Sequence, residues 1–546
     1  MEKLRMEVAG MTCDSCNVHV ARALERAGAR DVDADWRRGE AVFAADGAVG
    51  PERLAEAVRD AGYGPGAVTV LEEERPAVHA GSSDYDLVVI GAGSAAFAAA
   101  IKARDRAARV ALVEHGIVGG TCVNVGCVPS KALLRAGEVY HQAGHHDFDG
   151  IETSAGAVDL AALVAQKNEL VETMRQEKYL DLVDAYGFEL FPGHATFTGP
   201  DAVAVDGRTI TADAYLVATG ASPSVPHIEG LAEAGYLTST TALDLKEQPG
   251  SIAVIGANAI GLELGQFFLH LGTKVLFFDV LDRIAPFEEP EVSEALAAIL
   301  RDQGAEVFTP AKILKVVGGS EGRVVHAEVG GEPREFPVDQ VLVATGRRPN
   351  TAGMGLEEAG VALDGRGFVV VDEHLRTSNP KVFAAGDCTP SPQFVYVSAY
   401  QGSLAAENAL DGASRTVDLR ALPRVTFTSP QIASAGFTEA QAREQGREVN
   451  TSVLPLSAVP RAIVNRETRG LIKVVADGST DELLGVSILS ESAGEVIQAA
   501  VLAIKLRLTV EEVARTFHPY LTVAEGLKLA AQTFTRDVAM LSCCAA

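Results

Sequence analysis

The sequence predicts an α/β chain: two doubly wound nucleotide-binding domains, an α+β domain after them and a small βαββαβ domain ahead of them. Three observations carry that prediction. A buried strand, a glycine-rich turn and a helix run through LVVIGAGSAAFAAAIKARD, residues 87–105, and again through SIAVIGANAIGLELGQFFLHLG, residues 251–272. From about residue 420 the pattern turns strand-rich (RVTFTS, GLIKVVAD, LLGVSIL) and then helical from Ala493 onward. Residues 1–71 form a unit of their own, and a charged, then Pro/Gly/Ser-rich stretch, EEERPAVHAGSS at 72–83, separates them from the rest as a linker. At about 150 residues per domain, 546 residues give three to four domains, in agreement.

In chain order, LRMEV alternates as a strand, a loop carries Cys13 and Cys16, and VHVARALERAG is an amphipathic helix. Short strands follow near Val32–Trp36 and Glu40–Phe43, then a helix from Pro51 to about Ala61 and a strand near Ala67–Leu71. That order is the ferredoxin-like one. In the first nucleotide turn Gly91, Gly93 and Ala96 occupy the fingerprint positions, and strand RVALVE ends on Glu114, 23 residues after Gly91. A carboxylate there accepts hydrogen bonds from a ribose hydroxyl. The second turn runs from Gly256 to Gly261, and its partner strand KVLFF ends on Asp279, again 23 residues on. Two dinucleotides in one chain imply an electron relay from nicotinamide to flavin.

Composition narrows the function classes. Lys plus Arg number 47 against 73 Asp plus Glu, a formal charge of −26 that repels phosphate backbones, so no nucleic acid partner is expected. No run of 18 apolar residues appears, which predicts no membrane span, and the start MEKLRMEVAG lacks the apolar core of a signal peptide, which points to the cytoplasm. Six of the seven cysteines fall in close pairs, Cys13/Cys16, Cys122/Cys127 and Cys543/Cys544. In a reducing compartment such pairs read as metal or redox chemistry. Cys388 stands alone, and a small buried thiol is the reading for it.

The segment GTCVNVGCVPSK, residues 120–131, opens a helix expected to run through Lys131 and Leu134. A helix N-terminus stabilises thiolates, so Cys122 and Cys127 are both expected to be acidic and nucleophilic. This segment resembles the redox-active disulfide loop of the flavoprotein disulfide reductases, the group of glutathione reductase and lipoamide dehydrogenase. ATG at 218–220, ATGRRPN at 344–350 and FAAGDC at 383–388 extend the likeness over residues 84–546. The resemblance implies an FAD domain over 84–235 and 346–419, an NAD(P)H domain over 236–345, and a dimerisation domain with its Cys-Cys tail over 420–546, acting as a homodimer. It implies that Ala96, Gly116, Thr121, Lys131, Ala195, Asp387 and Val395 line the flavin, with Glu263 as the ion partner of Lys131. Disulfide reductases of the group carry His-Pro with Glu five residues after the His. Here His518-Pro519 is followed by Val523 at that position, which weakens His518 as a base.

Gly10-Met11-Thr12-Cys13-Asp14-Ser15-Cys16 resembles the heavy-metal-associated domain of soft-metal chaperones and pumps, and two soft thiolates suit thiophilic ions. Together with the flavin-linked dithiol, the terminal Cys543-Cys544 and the segment HPYLTVAEGLKLAAQTF, the chain is similar to the mercuric reductases. That likeness implies Hg(II) as substrate, handed by small thiols or Cys13/Cys16 to Cys543/Cys544 and on to Cys122/Cys127. It also implies Tyr179 and Tyr520 as active-site tyrosines, for which a core or interface aromatic is the alternative. It implies NADPH as the reductant, whereas Asp279 suits the free ribose of NADH. The rival readings are a disulfide reductase of the lipoamide dehydrogenase type and a non-catalytic soft-metal-binding protein.

Overall fold

The computed structural model describes residues 2–11, 14–45, 49–70, 83–319, 322–412 and 415–537, and the chain divides between residues 82 and 83 into two compact units. The first unit has the expected βαββαβ order. Its antiparallel sheet places Glu2–Ala9 between Glu40–Ala45 and Gly64–Val70, with Arg30–Asp35 at one edge. Alternation in Glu40–Ala45 buries Ala41 and Phe43 against Leu24, Leu54 and Val58 of the two helices. Pro51 opens the second helix, where its missing N–H costs nothing. Cys16 lies in the helix Asp14–Ala27, partly buried against this core, while Cys13 falls outside the described residues.

In the second unit the continuous apolar runs form parallel strands buried on both faces. The first sheet sets Glu189–Pro192, Val110–Glu114, Tyr85–Ile90 and Arg208–Val217 side by side in parallel. The return segment supplies Val382–Ala384, which pairs in parallel with Arg208–Val217. The second parallel sheet has the order Glu306–Phe308, Lys274–Phe278, Ser251–Ile255, Gln340–Val343. A three-stranded antiparallel ribbon over 311–338, not foreseen from the sequence, covers one of its faces.

The C-terminal region is a five-stranded antiparallel sheet. Its strands Leu471–Asp477 and Leu483–Ser490 are buried along their whole length beneath Ala493–Lys505 and Glu525–Gln532. It is tied to the second nucleotide domain by Lys473, whose ammonium donates to Glu289, Glu291 and Glu439 at 3.0, 2.9 and 3.0 Å. Among the described residues no helix is long and apolar enough to cross a membrane.

Candidate active site

The two nucleotide turns are built alike. Gly91 has φ +120°, and a Cβ on it would lie 2.4 Å from the Ala218 carbonyl oxygen; one on Gly256, φ +101°, would lie 2.5 Å from that of Ala344. Each ATG segment therefore seats against its own glycine turn, and only glycine permits the approach. Gly93 then caps the helix Ser94–Arg104 in extended conformation with no side-chain cap. The first amides of that helix are left facing the position where a pyrophosphate sits. Glu114 accepts from the Ala92 N–H at 2.8 Å and the Gly116 N–H at 2.6 Å. Asp279 matches it in the second domain, accepting from Ala257 N–H at 2.8 Å and Leu281 N–H at 2.9 Å. Gly261 is the close-packing glycine: a Cβ there would fall 1.9 Å from the Gly256 carbonyl oxygen. Arg283 turns into its own loop, donating to the Pro286 carbonyl at 2.9 Å.

The dithiol loop is fixed to the first turn. Gly119 N–H donates to the Ala92 carbonyl at 2.7 Å. Asn124 holds the loop from within, donating to the Val118 and Gly120 carbonyls at 3.0 and 2.9 Å, and Arg175 donates to Asn124 at 3.2 Å. The expected single helix is in fact two. Cys122 lies in the short helix Gly120–Val125, and Cys127 begins the long helix Cys127–Gly144 after a break at Gly126.

The two thiols are not equivalent, which corrects the expectation that both are acidic. Both are free in this structure. A hydrogen bond from Cys122 and the charge of Lys131 bring Cys127 down to about 7 against the pull of burial. Cys122 is pushed up, first by its bond to Cys127 and then by burial. Two thiolates within hydrogen-bonding distance repel, so the pair carries one negative charge and Cys127 holds it.

Lys131 donates to Glu263 at 2.7 Å, the ion pair the resemblance implied, and its ammonium lies 4.7 Å from the Phe427 ring centroid. The other Glu263 oxygen accepts from the Phe427 N–H at 2.8 Å. Asp387 follows the return strand, with burial raising its carboxyl above the usual range; Ser398 donates to it at 3.2 Å and Arg347 stands 3.9 Å away. The buried Nε of Arg347, 3.9 Å from the Asp387 carboxylate, makes no hydrogen bond among the described residues. An orphaned guanidinium N–H beside a buried carboxylate, with a glycine-only cradle and a helix N-terminus in the same domain, fits a flavin dinucleotide. Thr121 is the second residue of the helix Gly120–Val125, and Ala195 and Val395 open the strand Ala195–Gly199 and the helix Val395–Asp411.

Tyr179 reaches the dithiol loop from a π-helical turn, Gln176–Leu180, between the helices Leu160–Arg175 and Asp181–Tyr186. Its ring stands edge-on to Phe97 at 4.9 Å, and burial raises its hydroxyl, with both cysteines adding to the shift. Tyr520 instead lies on the C-terminal surface, 56% exposed, close in sequence to the fully exposed Phe517. His518 Nδ1 is 3.0 Å from the Thr516 carbonyl, and Val523 is buried in the apolar core. Glu525, seven residues after His518, is buried, and its Oε2 makes no hydrogen bond among the described residues. Cys388 is buried as expected, with its thiol pushed up to about 11 by desolvation. Cys543 and Cys544 lie outside the described residues.

Residues 85–402 match the family model described as pyridine nucleotide-disulphide oxidoreductase, residues 422–531 match the dimerisation domain of the same family, and residues 5–64 match the heavy-metal-associated domain. The chain is 51% identical over 542 residues to mercuric reductase of Staphylococcus aureus, covering 99% of each chain. It is 50% identical to that of Bacillus cereus, covering 100% of this chain and 87% of the relative. Among solved structures it is similar to the HOCl-induced flavoprotein disulfide reductase RclA of Escherichia coli, with TM-score 0.74 and 31% identity over 82% of this chain and 99% of that one.

Proposed function

Because the chain belongs to the pyridine nucleotide-disulphide oxidoreductase family and carries a heavy-metal-associated domain ahead of it, we propose that it reduces Hg(II) to elemental mercury at Cys122 and Cys127. The observation that carries this reading is identity of about half the residues with mercuric reductases along the full chain, at a site whose paired thiols keep one thiolate beside a lysine.

Gly91, Gly93, Ala96, Glu114, Gly116, Thr121, Lys131, Ala195, Asp387 and Val395 would hold FAD, with Glu263 as the ion partner of Lys131, and Gly256, Gly261 and Asp279 the pyridine nucleotide. Bound there, the two cofactors supply the pair of electrons that the reduction consumes. The chain's own groups manage the ion. The Cys127 thiolate displaces one thiolate from an Hg(II) dithiolate, and Cys122 displaces the second, giving its proton to the departing thiolate. Lys131 stabilises the Cys127 thiolate before the ion binds, and Glu263 keeps that ammonium in place. Two electrons delivered to the bound ion release the neutral metal and leave two cysteine thiolates, and a proton from solvent returns Cys122 to the thiol. Tyr179 closes one side of the dithiol and restricts water there.

Cys13/Cys16 and Cys543/Cys544 would hand the ion on by the same exchange, with small thiols as carriers, so that a tightly bound soft ion stays kinetically mobile. The dimerisation domain supports a homodimer in which one subunit's tail and Tyr520 serve the other's dithiol. The exposed Leu502, Leu506, Ile463 and Val464 of that region are apolar surface a partner subunit would cover. Oxidation of NADPH or NADH by the full chain tests the reading, with Hg(II) and excess thiol set against glutathione disulfide and lipoamide. Oxidation that depends on Hg(II) is expected, and faster turnover with either disulfide would overturn it.

A further inference from the structure

Resting on the reading that the first nucleotide domain takes FAD, we propose that His115 and His194 form the ring wall against which the adenine of that cofactor stacks. The argument follows the order of groups along the dinucleotide. The pyrophosphate belongs at the Gly91–Gly93 turn, and the ribose belongs at the carboxylate that ends the second strand, Glu114. The base comes next, in the crevice outside the carboxyl ends of the strands.

Two neighbouring parallel strands end there in register, with Glu114 paired to Pro192. His115 follows the first strand directly, and His194 follows the second after one glycine. Their rings stack with centroids 4.3 Å apart and planes 29° from parallel. His115 Nδ1 lies 3.8 Å from Glu114 Oε1, so the stack begins immediately beyond the ribose carboxylate.

The second ring is held by its backbone. Gly193 donates its N–H to the Glu114 carbonyl at 2.9 Å and has φ +143°. A Cβ on it would stand 2.6 Å from the Asp206 carboxylate. Only glycine fits, and the tie to Glu114 brings His194 over His115. The His115 side chain remains 55% exposed and His194 is exposed, so the stack keeps open ring surface toward solvent. Flat rings fixed beside a nucleotide site, with a face left open, suit a purine.

The test measures FAD release when full-length holoenzyme is diluted into flavin-free buffer, followed by the fluorescence of the freed flavin. Loss of one stacking ring by His115→Ala or His194→Ala should speed release about tenfold. His194→Phe restores a ring face without a polar atom and should return release to within about threefold of the parent rate. Thermal unfolding of each variant separates loss of stacking from loss of fold. Release at the parent rate from both alanine variants would overturn the proposal, as would a phenylalanine variant of parental stability that releases flavin as fast as His194→Ala. A parent chain that purifies without flavin and takes up none when FAD is supplied would instead overturn the FAD reading on which the proposal rests.

Discussion

A sulfur that shares a hydrogen bond with a second sulfur cannot be judged from its own neighbours, and this decides the chemistry of the site. The spacing and flanks of Cys122 and Cys127 were legible in the sequence, as were the strand-ending Glu114 and Asp279, while the Lys131–Glu263 pair came only from the family resemblance. The asymmetry of the thiols was not, because it arises from their mutual bond and from Lys131 one helical turn beyond Cys127. Cys127, held near 7, should be the residue that iodoacetamide labels first in reduced enzyme, with a rate that rises through its midpoint near pH 7. Lys131→Met should move that midpoint upward, and first labelling of Cys122 would contradict the assignment. For the nicotinamide, Asp279 sets the expectation. It is oriented by two amides at the end of its strand, the position proposed to read the ribose, while Arg283 is engaged by its own loop. A like-charge clash at such a site is worth roughly 1–2 kcal/mol. NADH should therefore be accepted, and Asp279→Ser should raise the NADPH/NADH ratio of kcat/KM by about five- to thirtyfold. A strong native preference for NADPH that Asp279→Ser leaves unchanged would show that Asp279 does not read the ribose.

Two helices carry the coupling between the nucleotide domains, Cys127–Gly144 from the first and Ala259–His270 from the second. They meet at three levels. Lys131 bonds Glu263, Gly137 admits the Phe267 ring where a Cβ would stand 3.0 Å from it, and His141 stacks on His270 with centroids 4.3 Å apart. Periodicity in the sequence located both helices, but their mutual register depends on the fold that joins the domains. The π-helical turn that presents Tyr179 and the ribbon over 311–338 were likewise invisible, since each is set by tertiary packing and not by local pattern. The histidine level gives a pH prediction. Burial brings His141 down to about 4 and His270 down to about 3. Unfolded imidazoles bind protons near pH 6.5, so between pH 6.5 and about 4 the unfolded chain binds more protons than the folded one, and stability falls as pH falls. The slope from the buried His270 reaches roughly 1.4 kcal/mol per pH unit, and that from the half-buried His141 is smaller because solvent screens it. His270→Phe keeps a ring in the stack and removes its titration. Urea midpoints at pH 7 and pH 5 should therefore differ less in this variant than in the parent, and equal differences would refute the account.

At the scale of the whole molecule, the chain carries a heavy-metal-associated unit, then two nucleotide domains and a dimerisation domain, with the pair of sulfurs in the first nucleotide domain. The order of these parts was legible because each has its own period and its own turn residues. The exposure of Phe517 and Tyr520 on the C-terminal surface was not legible in the sequence, because it depends on the packing of the whole C-terminal region. If Cys543 and Cys544 deliver the ion, removing them should slow turnover with bulky Hg(II)–thiol complexes much more than it slows flavin reduction by the nicotinamide, as stopped-flow traces of the two half-reactions would show. Equal losses in both would mark structural damage instead of a lost relay. The central claim is that Cys122 and Cys127 together hold Hg(II) while two electrons reduce it. The most direct measurement is the stoichiometry of mercury vapour released to nicotinamide oxidised, in the parent and in Cys122→Ser and Cys127→Ser. One atom per nicotinamide is expected from the parent. Loss of one sulfur ligand should cost several kcal/mol and take either variant below about a tenth of the parent rate with its flavin retained. Vapour released by either flavin-loaded variant at near the parent rate would contradict the account.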